Sequence, residues 1–117
     1  GRVVFLDFFY ADCLPCHRAI PALLKLHEEF ADRGVVFLGI DSYDGIEDPK
    51  LRSLVDTMQI DYPVLLTNRM VDRQYGVGVY PTAIIVDRDG RICYAESGFD
   101  ELTTAEWREA ILSAVER

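Results

Sequence analysis

The sequence lacks several features that mark whole classes of protein. No stretch approaches the roughly 20 consecutive apolar residues that a membrane-spanning helix needs, and no secretory signal pattern opens the chain. Basic residues are few, since 12 Lys and Arg stand against 20 Asp and Glu for a net charge of -8. Nucleic-acid binding requires clustered basic side chains, so the composition argues against such a partner.

Cysteine is also scarce. Three cysteines cannot form the disulfide framework of a small secreted domain, and an odd number leaves at least one unpaired. Half of the residues are hydrophobic and 27% are charged, which is typical of a globular chain and not of a disordered one. A length of 117 residues predicts one domain over residues 1–117. Because a strand pattern starts at Val3, we expect a trimmed chain that lacks an N-terminal extension.

The first half of the chain alternates strand and helix patterns. The apolar run VVFLDFF, broken only by Asp7, predicts a strand that is buried on both faces of a parallel sheet. Apolar residues at helical spacing predict a helix from Leu14 to about Arg33, which Gly34 ends. The run VVFLGI predicts a second buried strand over residues 35–40. A helix from Asp48-Pro49 to about Gln59 follows, with Asp48 as its cap.

The second half predicts a sheet edge and a closing helix. A short strand over residues 63–66 precedes a polar helical segment that ends at Gly76. The turn DRDG joins two segments, 82–87 and 91–96, as an antiparallel hairpin. Thr103 and Glu106 predict a capping box at the start of the last helix. The fold class is therefore α/β, with a central mixed β-sheet and helices on both of its faces.

The segment Cys13-Leu14-Pro15-Cys16-His17 is compatible with two chemistries. As C-x-x-C it is a redox dithiol, and as C-x-x-C-H it is a signature for attachment of a c-type haem. Cys13 is predicted at the first turn of a helix, where free backbone N–H groups and the helix dipole favour the thiolate. Cys16, one turn later, is spaced to resolve a mixed disulfide.

The rest of the chain favours the dithiol. Haem attachment needs a histidine free to reach iron and a second axial ligand within a helical shell, but this chain devotes much of its length to strands. His17 is more simply a surface residue of the first helical turn. A zinc site would need four ligands, and only one C-x-x-C pair exists. The dithiol is therefore expected to act without a separate cofactor or metal.

Three longer segments resemble the thioredoxin superfamily, and more closely its TlpA/ResA-like thiol–disulfide oxidoreductases. They are FLDFFYADCLPC, RAIPALLKLHEEF and YGVGVYPTAIIVDRDGRI. The resemblance covers nearly the whole chain and includes an inserted helical segment at about residues 46–60. It implies a thioredoxin fold and electron transfer between protein dithiols and disulfides.

The resemblance also implies roles for individual residues. Pro81 matches the cis-proline that faces the dithiol, and Tyr80 stands beside it in the substrate groove. An incoming peptide would pair there as a short added strand. Asp7 matches the buried acid that exchanges a proton with the second cysteine, and burial should shift its carboxyl toward the neutral form. The alternative is an ordinary strand-end Asp that is solvated or caps a neighbour.

Two positions depart from the family pattern. Asp12 stands where members usually carry Trp, and its charge should disfavour the Cys13 thiolate. Val36 takes the place of an acidic residue, which leaves proton handling to Asp7. We expect the substrate to meet Asp12, Leu14 and Pro15. Because Leu14-Pro15 offers no donor to a thiolate, we predict a redox potential nearer about -270 mV than about -120 mV.

The expected partners are protein thiols and disulfides and an upstream redox donor. We expect a monomer without membrane contact in this chain, although an anchor could have been removed. The resemblance implies an extracytoplasmic location, with the cytoplasm as the alternative. A non-catalytic thioredoxin-fold binding module remains the competing function. The Asp41–Asp44 segment is interpreted as a solvated loop after a strand.

Overall fold

The computed structural model describes residues 1–117 and contains five strands and four α-helices. In chain order these are β1 (Val3–Phe8), α1 (Leu14–Phe30), β2 (Val35–Asp41), α2 (Pro49–Met58), β3 (Val64–Leu66), α3 (Arg69–Gln74), β4 (Thr82–Val86), β5 (Ile92–Ser97) and α4 (Thr103–Glu116). A short 3-10 turn (Ala31–Arg33) follows α1, and Gly34 ends it in the left-handed region at φ 78°. The predicted order of elements is confirmed.

The strands form one mixed sheet in the order β3-β2-β1-β4-β5. The first three strands are parallel, and β4 runs antiparallel to both β1 and β5. β1 is the central strand, and its side chains enter apolar clusters on both faces of the sheet, which explains its continuous apolar run. The loop of residues 9–13, which we call the disulfide loop, leaves the carboxyl end of this central strand and ends in Cys13, and Cys16 lies in the first turn of α1.

Alternate side chains of the strands supply two apolar clusters, one on each face of the sheet. On one face Phe5 packs with Ile20 of α1 and with Trp107 of α4 in a cluster of 22 buried residues. The other face has a smaller cluster, in which Val77 after α3 covers part of the sheet. Its buried members are Leu6, Phe8, Ile40, Val77 and Ile84.

Gly39 in β2 permits close packing beside the site. In the parallel register Gly39 is the partner of Asp7 in β1. A Cβ atom at this position would lie 2.9 Å from a ring carbon of Phe9 and 3.3 Å from a methyl carbon of Val64. The missing side chain therefore leaves room for the Phe9 ring in the core.

Of the two helix caps that the sequence predicts, the one at α2 is confirmed. The Asp48 side chain accepts a hydrogen bond from the Lys50 N–H at 2.9 Å, with Pro49 in the first turn of α2. The capping box predicted for α4 is wrong. Thr103 is already helical, and its hydroxyl accepts from the backbone N–H of Asp100 at 2.9 Å, so it serves the turn before the helix. No side chain caps α4.

Candidate active site

Cys13 and Cys16 are joined by a disulfide at the amino end of α1, with their Cα atoms 5.2 Å apart. Cys13 has an extended backbone conformation and caps the helix, because its Sγ accepts a hydrogen bond from the Cys16 N–H at 3.3 Å. The residues are only 3% and 1% exposed. The two sulfurs therefore lie where the spacing predicted, next to the free N–H groups of a helix.

Two side chains from other parts of the chain hold the loop before the disulfide. The Ala11 N–H donates to Asp44 Oδ2 at 2.8 Å, and the Ala11 carbonyl accepts from His17 Nε2 at 2.5 Å. His17 was predicted to be a plain surface residue, and this contact corrects that interpretation. Because Ala11 is fixed from both sides, the position of Cys13 relative to the sheet is fixed as well.

Asp41 anchors the loop that supplies Asp44. It ends β2 with no exposed surface, and its Oδ1 accepts from the backbone N–H groups of Tyr43 at 2.9 Å and of Asp44 at 3.0 Å. Burial, with the neighbouring Asp44 carboxylate, raises the pKa of Asp41 to about 7. The prediction of a solvated loop is thus wrong at Asp41. An acid with backbone donors two and three residues later is the sequence signal for this turn.

Asp7 is buried inside β1, between Gly39 of β2 and Ala83 of β4. Its Oδ1 has no hydrogen-bond partner, and burial alone raises its pKa to about 7. The charge of Asp7 also helps to raise the pKa of buried Tyr62, whose own burial is the larger cause. Asp7 is therefore a buried acid and not a solvated strand-end residue. Its neutral form persists to about pH 7, well above the pH at which a free aspartate loses its proton.

The peptide bond between Tyr80 and Pro81 is cis, and Pro81 is buried at the start of β4. The Tyr80 hydroxyl donates to Asp72 Oδ2, which also accepts from the Ser42 hydroxyl at 2.7 Å. Burial and this hydrogen bond raise the pKa of Tyr80. Asp72, a buried residue of α3, thus ties Tyr80 to the loop after β2. The polar helical segment gave no signal for this role.

Three tyrosines form an aromatic cluster next to the disulfide loop. The ring centroids of Tyr10 and Tyr43 are 5.0 Å apart, those of Tyr43 and Tyr80 5.2 Å, and those of Tyr10 and Tyr80 5.6 Å. The Arg69 guanidinium lies 4.2 Å from the centroid of the Tyr43 ring, in cation–π contact. Tyr43 is exposed and the other two rings are half-buried. The thioredoxin-like proteins that this sequence resembles usually carry Trp at the position of Asp12. Here the three tyrosines supply aromatic rings beside the disulfide loop instead.

The residues expected to meet a substrate differ in exposure. Leu14 is 71% exposed, and Pro15 is half-buried in the first turn of α1. Asp12 is exposed, and its Oδ2 is 2.9 Å from the Lys50 ammonium nitrogen of α2. Asp12 was predicted to disfavour the Cys13 thiolate, and the Lys50 ammonium partly cancels the field of the Asp12 carboxylate.

The geometry of the motif supports the dithiol interpretation over haem attachment. Both cysteine sulfurs are used in the disulfide, and His17 Nε2 is bonded to a backbone carbonyl. Cys93, the third cysteine, is half-buried in β5, and its thiol donates to the Ile85 carbonyl at 3.5 Å. No group of three His, Cys, Asp or Glu side chains is arranged to hold a metal ion.

None of the four α-helices combines the length and apolarity required to cross a bilayer.

Comparison with known proteins identifies relatives of this chain. A model of the AhpC/TSA family matches residues 1–95. The thioredoxin-like protein YneN of Bacillus subtilis is 34% identical over 93 residues, which are 79% of this chain and 54% of YneN. The thiol-disulfide oxidoreductase ResA of Bacillus thuringiensis is 28% identical over 93 residues, 79% of this chain and 53% of ResA. The chain spans about half the length of these curated relatives.

A solved structure shows the same architecture. A thiol:disulfide interchange protein of the thioredoxin family from Chlorobium tepidum superposes with a TM-score of 0.84 at 25% identity. The match covers 98% of this chain and 81% of that chain. The expected thioredoxin fold and the resemblance to ResA-like proteins are therefore confirmed.

Proposed function

Because this chain belongs to the AhpC/TSA family, and because its two vicinal cysteines form a disulfide at a helix amino terminus, we propose that it is a thiol–disulfide oxidoreductase. The disulfide is the single observation that carries the proposal. Two proteins similar to this chain, ResA and the protein from Chlorobium tepidum, are named for thiol–disulfide exchange. The Cys13/Cys16 pair is the redox group, and the reaction uses no other cofactor.

The exchange proceeds in two balanced steps. In the reduced protein, the Cys13 thiolate attacks one sulfur of a substrate disulfide and forms a mixed disulfide, while the other substrate sulfur leaves as a thiolate. The Cys16 thiolate then attacks Cys13 Sγ and releases the second substrate thiolate. Two electrons pass to the substrate, and the protein ends with the Cys13–Cys16 disulfide. A dithiol donor upstream restores the reduced form by the reverse sequence.

Asp7 handles the proton of Cys16 in this scheme. Cys16 must lose its proton before it can attack the mixed disulfide, since the thiolate is the nucleophile. A buried carboxyl with a pKa of about 7 can hold or release a proton at neutral pH. By strand alternation Asp7 shares the face of β1 with Phe5, and Cys16 belongs to the apolar cluster on that face, which supports this assignment.

Pro81 and Tyr80 form the substrate edge next to Cys13. The hydrogen bond from the Tyr80 hydroxyl to Asp72 holds this segment just before β4. A substrate peptide pairs with the backbone before Pro81 as an added strand. Asp12, Leu14 and Pro15 contact the same peptide from the helix side, where Leu14 is strongly exposed.

The expected redox potential rests on the dipeptide between the cysteines. Leu14-Pro15 supplies no positive charge or side-chain donor that would stabilise a thiolate. The redox potential of the Cys13/Cys16 pair therefore lies nearer about -270 mV than the value of about -120 mV that is typical of a strong oxidant. Its partners are protein thiols and disulfides, and the protein acts as a monomer. By its resemblance to the ResA-like proteins it works outside the cytoplasm.

Reduction of insulin by dithiothreitol tests the activity. The wild-type protein should accelerate it, and Cys13→Ser should not. Cys16→Ser should accumulate mixed disulfides between Cys13 and substrates, which mass spectrometry can identify. If the wild-type protein gives no acceleration, the chain is a binding module and the proposal is wrong. Equilibration with glutathione tests the potential, and a midpoint above about -170 mV would contradict the reducing assignment.

A further inference from the structure

Asp72 is a buried acid that takes no part in the two exchange steps. It lies in α3 and is only 2% exposed, and its Oδ1 has no hydrogen-bond partner. Its Oδ2 accepts from the hydroxyl groups of Ser42, at 2.7 Å, and of Tyr80. Removing a carboxyl from water is costly unless hydrogen bonds compensate. Here both compensating donors come from outside α3, so Asp72 joins two other segments of the chain.

The two segments joined by this carboxyl flank the disulfide loop. Ser42 directly follows β2, and Tyr80 lies just before β4. In the sheet, Phe8 at the end of β1 is paired with Ile40 of β2 and with Thr82 of β4. The carboxyl ends of β1 and β2 and the start of β4 therefore meet at one end of the sheet. Because the disulfide loop leaves β1 at this end, the buried carboxyl connects the segments on its two sides.

A series of contacts leads from Asp72 to the reacting cysteines. The Tyr80 ring meets the Tyr10 ring edge-on, with 5.6 Å between their centroids. The Tyr10 carbonyl in turn accepts from the Cys13 N–H at 3.2 Å. Tyr80 also directly precedes Pro81, with which it forms the substrate edge. A shift of Tyr80 therefore moves the substrate edge relative to Cys13 Sγ.

α3 makes a second contact with the same tyrosines. Arg69 lies one helical turn before Asp72, on the same face of the helix. The Arg69 guanidinium is 4.2 Å from the centroid of the Tyr43 ring, and that ring is 5.2 Å from the Tyr80 ring. The helix thus holds the aromatic cluster by hydrogen bonds from one side chain and by a cation–π contact from the other.

We propose that Asp72 is a positioning residue for exchange with polypeptide disulfides. The inference rests on the proposed exchange activity and adds a residue to that same site. Through Tyr80, Asp72 holds the substrate edge at a fixed distance from Cys13, so that a polypeptide paired with this edge presents its disulfide in the geometry that reaction needs. A small disulfide does not pair with the edge, and its reaction is independent of Asp72.

Two disulfides of different size test this role. The reduced protein is mixed with insulin or with hydroxyethyl disulfide, and its oxidation is followed by mass spectrometry after alkylation of the remaining thiols. Asp72→Ala should slow oxidation by insulin about tenfold and change oxidation by hydroxyethyl disulfide by less than about twofold. Asp72→Asn keeps an oxygen that can accept from both hydroxyls, and it should restore the insulin rate to within about threefold of wild type.

Tyr94→Phe is the matched control for loss of a tyrosine hydroxyl. Tyr94 lies in β5 and is paired with Ile85, near the end of β4 that is distant from Pro81. This variant should react like wild type with both disulfides. Equal slowing with the two disulfides in Asp72→Ala would overturn the positioning role, and so would an Asp72→Asn variant as slow as Asp72→Ala.

A double variant tests whether Asp72 acts through Tyr80. Tyr80→Phe removes one hydroxyl and should also slow oxidation by insulin but not by hydroxyethyl disulfide. The double variant Asp72→Ala/Tyr80→Phe should be no slower than Asp72→Ala, and losses that multiply would overturn the proposal. Circular dichroism shows that each variant is folded, and if Asp72→Ala does not fold, the selective loss in Tyr80→Phe decides the question. A wild-type protein that neither disulfide oxidises would refute the exchange activity, and the positioning role with it.

Discussion

Two buried aspartates in neighbouring strands have similar pKa values but different surroundings. Asp7 lies within β1 and Asp41 ends β2, and burial raises the pKa of each to about 7. Asp41 Oδ1 accepts two backbone hydrogen bonds, from Tyr43 and Asp44, whereas Asp7 Oδ1 has no partner. Each carboxyl is costly to bury in its charged form, but only Asp41 gains backbone contacts in return.

This difference separates two uses of a buried acid. Asp41 organises a loop, and through Asp44 that loop holds Ala11 of the disulfide loop. Asp7 Oδ1 has no hydrogen-bond partner, so Asp7 holds no loop in place. Its effect on the protein should come from the uptake and release of its proton. Loss of the Asp41 hydrogen bonds should therefore lower stability at pH 5, where both acids are neutral, whereas Asp7 should act through the pH dependence of stability.

The largest expected effect is the pH dependence that Asp7 causes. Its native pKa of about 7 exceeds the unfolded value of 3.8, so the native state binds more protons and stability falls as pH rises from about 4 through 7. The loss is at most about 4 kcal/mol for this difference in pKa. Asp7→Asn should remove this part of the loss, and so be more stable than wild type at pH 8 but not at pH 4.

Urea unfolding across this pH range measures the difference. The remaining pH dependence in Asp7→Asn should come from Asp41, whose pKa is raised in the same direction. The same variant should slow disulfide exchange near neutral pH. Exchange rates that match wild type from pH 6 to 9 would exclude Asp7 as the proton-handling group.

Removal of the Asp41 carboxyl should give the next largest effect. Asp41→Ala leaves two backbone N–H groups in the loop without their acceptor, and it should lower the free energy of unfolding by about 3 kcal/mol. Asp41→Asn keeps an acceptor oxygen and is the control. Both should be unfolded with urea at pH 5, where the native Asp41 is neutral. Equal losses in the two variants would contradict the anchoring role.

A smaller effect is expected at Asp44. Asp44→Ala removes the acceptor for the Ala11 N–H and should cost about 1 kcal/mol of stability. Because Ala11 positions the disulfide loop, insulin reduction should also slow in this variant. Asp44→Asn retains an oxygen at this place and should restore the rate. A slow rate in both variants would show that the charge of Asp44, and not the hydrogen bond, is what matters.

The smallest effect is expected at Lys50. Lys50→Met leaves Asp12 unpaired near Cys13, so less thiolate should be present and alkylation of Cys13 by iodoacetamide should slow by about twofold at low salt. At 1 M salt the difference should vanish, because exposed charges are then screened. The double variant Asp12→Asn/Lys50→Met should react like wild type. A rate loss that persists at high salt would point to a packing effect.

The element order and the dithiol position could be predicted because they depend on local patterns. Each of these patterns involves only residues that are close in sequence. Examples are the apolar run of β1, the cap at Asp48 and the turn Asp87–Gly90. Even there, Thr103 was misassigned, because a neighbouring turn residue, Asp100, competes for its hydroxyl. Local rules state which contacts are possible, but not which of two close partners is chosen.

The sequence by itself determined an α/β chain with a reactive cysteine pair at the start of its first helix, because strand and helix periodicity and the C-x-x-C spacing are local. The tertiary structure alone decided how that pair is held. The Ala11–Asp44, Asp12–Lys50 and Ser42–Asp72 contacts join residues 30 or more positions apart. Such contacts depend on the order of strands in the sheet and on the paths of loops at its edge, which no local pattern encodes.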